Sequence, residues 1–113
     1  MSDLREQILA ADDLGSEDVD VPEWGDGLTL KVRGLNAGEV EEFGRAVNEG
    51  KLDNLLAKMV AKVVMNGDGE RVFTDDDVDA LAAKSHVPIQ RIFQAAQRVS
   101  GLDDDEEATD AKN

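Results

Sequence analysis

The side chains in this 113-residue chain that could do chemistry fall into a few groups. Asn66, Asp68 and Glu70 lie in a glycine-rich turn and offer oxygens of the kind a calcium ion takes. Asp75, Asp76 and Asp77 form a second carboxylate run, and His86 is the sole histidine. Lys84, Arg91 and Arg98 are basic residues in a stretch, Ala80 to Leu102, that contains no acid.

Each group meets a physical objection. If Gly69 takes the invariant glycine position of a calcium loop, the first ligand position falls on Val64 and the normally apolar eighth position on Arg71, and neither fits. Thr74 and Asp77 have capping-box spacing, and Asp75 and Asp76 stand where the positive end of a helix dipole favours acids, so no metal is needed to explain them. His86 sits at a turn with no paired Ser, Cys or second ligand. No catalytic, metal-ligating or cofactor-binding residue is therefore assigned, and the chain is not read as an enzyme.

The element that must position everything else is Leu52 to Val64. Leu52, Leu55, Leu56, Met59, Val60, Val63 and Val64 recur there at helical spacing, which predicts a buried helix face. Before it, Asn36 with Glu39 predicts a capped helix carrying Val40, Phe43 and Val47 on one side. Asn48-Glu49-Gly50 closes that helix, so the pair reads as an αα-hairpin. Gly44 within it costs roughly 1 kcal/mol relative to Ala, which suggests a close backbone neighbour.

Further upstream, Leu4, Ile8 and Ala11 predict a short amphipathic helix over residues 3 to 13, with Ser2 as its cap. Leu14 to Asp20 reads as an exposed connector. Val19 and Val21, then Leu28, Leu30 and Val32, alternate with polar residues around Pro22 to Gly27, a β-hairpin pattern with Trp24 anchored over the core. Downstream, Met65 to Phe73 reads as a tight turn leading into a short extended segment. Thr74 opens a helix that buries Val78, Leu81 and Ala82. Ser85 opens the last helix, whose stripe is Ile89, Ile92, Phe93, Ala96 and Val99 and whose end is Ser100-Gly101.

The expected fold is a mainly helical α+β domain: N-terminal helix, β-hairpin, αα-hairpin and two C-terminal helices over residues 1–102. The acidic run over residues 103–113 lacks large apolar groups and reads as a disordered tail. The expected core includes Leu30, Val32, Val40, Phe43, Leu55, Leu56, Met59, Val63, Leu81, Ile92 and Phe93. With 26 acidic against 12 basic residues the formal charge is −14, a field that repels nucleic acid. Cysteine is absent, which excludes disulfides, and the opening residues do not read as a signal peptide or any span as membrane-crossing.

Val21-Pro22-x-Trp24-Gly25, Arg33-x-Leu35 before an acidic helix, Gly69-x-Arg71-x-Phe73-Thr74 and Ser100-Gly101-Leu102 together carry a resemblance. Over about residues 3 to 102 the chain resembles the small tail assembly chaperones of long-tailed, siphovirus-type bacteriophages. Asn36-Ala37-Gly38 departs from the Thr- or Ser-capped, glycine-free helix start expected of them. The resemblance implies a non-enzymatic protein of the infected or lysogenic host's cytoplasm. Such a protein binds the tape measure protein, keeps it soluble during tail tube assembly and is absent from the virion. It further implies a homo-oligomer, the major tail protein as another candidate partner, no cofactor, no nucleic acid and no membrane.

Within that reading the last helix supplies the candidate partner-binding residues Ile89, Arg91, Ile92, Phe93, Ala96, Arg98 and Val99, an apolar stripe with a basic rim. The rival readings are a helix-turn-helix DNA-binding regulator over Leu81 to Ile92 and an acidic inhibitor or antitoxin-like protein that mimics nucleic acid. If residues 103–113 only solubilise the chain, deleting them leaves the thermal midpoint nearly unchanged and lowers solubility near neutral pH. A large fall in the midpoint by calorimetry would show instead that the tail docks.

Overall fold

In the computed structural model, residues 3–102 are described. The order is α1 (Asp3–Ala10), β1 (Ser16–Asp20), β2 (Thr29–Arg33), α2 (Ala37–Asn48), α3 (Leu55–Val63), β3 (Val64–Met65), α4 (Val78–Ala82) and α5 (His86–Val99). Short 3-10 turns occupy Pro22–Trp24 and Asp75–Asp77. This is the expected mainly helical α+β architecture. The Ser2 cap and the 103–113 tail lie outside the described residues.

The strands form one antiparallel sheet in the order β1-β2-β3. Opposed residues share a face, so the register Glu17↔Val32, Val19↔Leu30 and Val32↔Val64 puts these five on the inner side. Residues 16–20, where the pattern placed only Val19 in the hairpin and the rest read as a connector, are therefore a strand. Their acids hid it: Asp18 and Asp20 occupy the outer positions, and Glu17, which faces inward, is matched by Arg98 of α5. The expected hairpin is extended by β3, since Val64 leaves the helix and Met65 pairs with Lys31.

α3 begins at Leu55, three residues later than its apolar pattern suggested. Gly50, at φ 70°, ends α2, with Lys51 N–H donating to Ala46 O and Gly50 N–H to Val47 O, so that the last carbonyls are satisfied. Asn54 then takes a left-handed conformation, φ 54°, which cannot continue a helix backwards. Leu52 is consequently out of the helix and 57% exposed. α2 rests on the core through Phe43, whose ring lies 5.1 Å from that of Phe93. Gly44 has open space where a Cβ would stand, so the close neighbour expected there is absent.

The core gathers between the sheet, α3 and α5. Val21, Val32, Val60, Ala61, Val63, Val64, Ile92, Ala95 and Ala96 are fully buried. Each of the expected core residues belongs to this cluster or packs against it, Leu30, Val40, Phe43, Leu55 and Leu56 being half-buried. On α4 only Leu81 is buried; Ala82, the helix's last residue, lies about 100° further round the axis and is exposed.

α5 ends in a junction that closes the domain. Leu102 N–H donates to Gln97 O and Gly101 N–H to Arg98 O, with Gly101 left-handed at φ 78°. Ser100 Oγ donates to Ala96 O at 2.5 Å and accepts Leu35 N–H at 2.6 Å. Gly34 lies so close that a Cβ would come within 3.2 Å of Val99 Cγ1 and Ser100 Oγ. Ser100→Ala should therefore destabilise the fold by about 1–3 kcal/mol, the cost of stranding a buried N–H. Urea titration checks this, and an unchanged midpoint would refute the junction's role.

Candidate partner-binding surfaces

α5 is amphipathic because Ile89, Ile92, Phe93 and Ala96 fall on one side of a helix opened by Ser85, whose Oγ accepts Val87 N–H at 3.4 Å. The structure places all four of these candidate residues in the core, at 6%, 0%, 5% and 0% exposure, with Val99 half-buried beside Gly15 and Gly34. In this conformation the stripe faces the protein's own sheet and α3.

The two candidate arginines are likewise engaged within the chain. Arg91 makes a two-pronged pair with Glu23, Nη1 to Oε1 at 2.8 Å and Nη2 to Oε2 at 2.7 Å, and Nη1 also donates to Asp20 O at 3.1 Å. Arg98 pairs with Glu17 through Nε and Nη2. Arg33 holds Glu39 in the same fork, both bonds at 2.8 Å. Hydrogen bonding to these guanidinium groups pulls the three carboxyls below the usual range, Glu23 to about 2. A recognition helix for DNA would need Arg91 and Arg98 turned toward phosphates. Here they tie α5 to the hairpin.

The glycine-rich turn of Asn66, Asp68 and Glu70 is organised by its own asparagine. Asn66 Oδ1 accepts Asp68 N–H at 2.8 Å and Glu70 N–H at 3.0 Å. Thr74 and Asp77 form the expected capping box, although it opens the 3-10 turn before α4. Among the described residues no group of three or more His, Asp or Glu side chains is arranged to hold a metal, and no helix is long and apolar enough to cross a membrane.

Two stretches of apolar surface stand out, beside single exposed side chains such as Val87 and a shallow hollow where Leu28, Leu30, Met65 and Val72 meet. One is an open groove of about 270 Å³ where Leu52, Leu55, Leu56, Leu81 and Ile89 meet Lys84 and His86. Val47, expected on the inner side of α2, adds to the exposed apolar surface at 47%. The other is α1, which buries no residue at all: Leu4 is 67%, Ile8 61% and Leu9 67% exposed. Sequence reasoning recognised α1 as amphipathic and did not assign it to a partner. The available signal was an apolar helix with an acidic connector behind it and no obvious place in the core.

No family model matches the sequence, and no curated protein matches it. Among solved structures, the tail assembly chaperone of bacteriophage HK97 superposes with a TM-score of 0.63 at 20% sequence identity, over 88% of this chain and 95% of that one. The likeness shows a shared fold.

The pairing of Glu23 with Arg91 carries a pH signature. A carboxyl depressed by folding contributes stability in full above its unfolded value, near 4.5, and loses it as pH falls toward the folded value of about 2. The stability advantage of the wild type over Glu23→Gln should thus be flat above pH 5, shrink below 4.5 and vanish near 2. It should also weaken with salt, because the pair is exposed. Denaturant titrations of both proteins across that range test this; a gap that stays constant into acid would refute it.

Proposed function

We propose that this chain is a phage tail assembly chaperone, a non-enzymatic protein that binds the tape measure protein and keeps it soluble while the tail tube forms around it. The observation that supports the reading is the fold shared with the HK97 tail assembly chaperone across nearly the whole of both chains. The chemistry agrees with it. A long helical client exposes apolar surface that aggregates before assembly, and a protector must offer apolar contact inside a repulsive, charged exterior. Here the contact surface is the exposed apolar side chains of α1 and the groove at the start of α5, and the exterior carries the net charge of −14.

On this reading the protein acts in the cytoplasm of the infected or lysogenic bacterial host, works as an oligomer, takes the major tail protein as a further partner and is left out of the virion. Co-expression with the tape measure protein encoded in the same genome tests the central claim. A co-purifying complex and a rise in soluble tape measure protein are expected. An insoluble client and no complex at any salt concentration would overturn the reading.

A further inference from the structure

The described structure leaves one whole helix without a core. α1 is eight residues long and its large apolar side chains, Leu4, Ile8 and Leu9, are all more than half exposed. These three, with Arg5, line one continuous shallow surface. Arg5 contributes its apolar stem there and keeps its charge in water. Acids are close to it in the chain: Asp3 and Glu6 within the helix, then Asp12 and Asp13 just after it. From one short helix the patch is too small for a stable dimer interface, which takes roughly 20–30 residues a side. At this face charge further disfavours a second copy, because Asp3, Glu6, Asp12 and Asp13 of two chains would be brought together.

We infer that the α1 face of Leu4, Ile8 and Leu9 is the docking surface for an amphipathic helix flanked by lysine or arginine. It rests on the chaperone reading only for the client's identity. Leucine-sized side chains of the partner pack across the α1 patch, and its cations reach Asp3, Glu6 and the acids that follow. Such a contact is small and weak singly. Repeated along an elongated client by many copies, it becomes strong through effective concentration.

The three side chains lie outside the core, so Leu4→Gln, Ile8→Gln and Leu9→Gln together should leave the melting temperature unchanged while preserving charge. The probe is a synthetic helix with leucines on one face and lysines on the other, beside a counterpart with glutamates for lysines. The wild-type chain should bind the lysine helix, and the triple variant roughly tenfold or more weakly. Neither protein should bind the glutamate helix. Equal binding by the triple variant overturns the surface, and binding of the glutamate helix overturns its charge preference. If the wild type sediments as an assembly that the triple variant dissolves, with peptide binding unaltered, the face belongs to a second copy and the inference fails. Should the triple variant melt early, Ile8→Gln alone carries the comparison.

Co-expression with the tape measure protein separates this inference from the chaperone reading. A wild type and a triple variant that protect the client equally overturn only the α1 surface. A wild type that binds the lysine helix through α1 but protects no client overturns only the chaperone reading.

Discussion

The constraint on which the structure depends is the close approach of α5 to α3 and the sheet. Small residues make it possible: Ala57 and Ala61 on α3, and Ala95 and Ala96 on α5, are between 0% and 3% exposed. Methyl-sized side chains there let the helix axes come near enough for Met59, Val60, Val63 and Ile92 to fill the space between. The sheet is brought to the same helix from its other end, where Ser100 and Val99 meet Gly34 and Leu35. Once α5 is seated in this way its apolar stripe is spent on the interior.

Charge follows the same logic. A chain of −14 that keeps acids out of Ala80 to Leu102 invites a nucleic-acid reading of that stretch. The structure turns the asymmetry inward: Arg91 reaches Glu23 and Arg98 reaches Glu17, so α5 is riveted to β1 and to the 3-10 turn by opposite charges along its exposed flank. Arg71 does a related service for α3. Its Nε and Nη2 donate to Ala61 O at 3.1 and 3.0 Å, placing a cation on a carbonyl at the negative end of the helix. These cations are scarce in the chain, and they are used where backbone or acids inside the fold need them.

How much of this was legible depended on whether a signal was local. Caps were readable residue by residue, and Asn36 with Glu39, Thr74 with Asp77, Ser85, and Ser100-Gly101 stand where their spacing put them. The stripes of α3 and α5 were readable by period. β1 was readable only at Val19, because Glu17, Asp18 and Asp20 mask the alternation around it, and the answer to Glu17 lies 81 residues away on Arg98. Nor could periodicity tell an apolar stripe that builds the core from one left exposed. Leu4 and Ile8 on α1 repeat as regularly as Ile89 and Ile92 do on α5, yet the first pair is exposed and the second buried. Only packing separates them.

The residues that carried the resemblance to tail assembly chaperones turn out to be closures of the backbone. Val21 is wholly buried where its N–H closes the hairpin on Leu28 O, and Trp24 packs against the core beside it. Arg33 pins Glu39 of the α2 cap while Leu35 is buried against the Ser100 junction. Gly69 permits the positive φ of its turn, Arg71 caps α3, Phe73 packs on the core and Thr74 opens the next turn. Gly101 and Leu102 end α5. Closures of this kind need particular residues at a few positions and tolerate wide change between them, since core positions ask only for volume and apolarity. A fold held in this way can persist at 20% identity while the sequence drifts beyond the reach of whole-chain comparison. Exposed surface is under no such shared constraint, so the outward side chains of α1 and the groove, and not the closures, are where chains of this fold have room to differ.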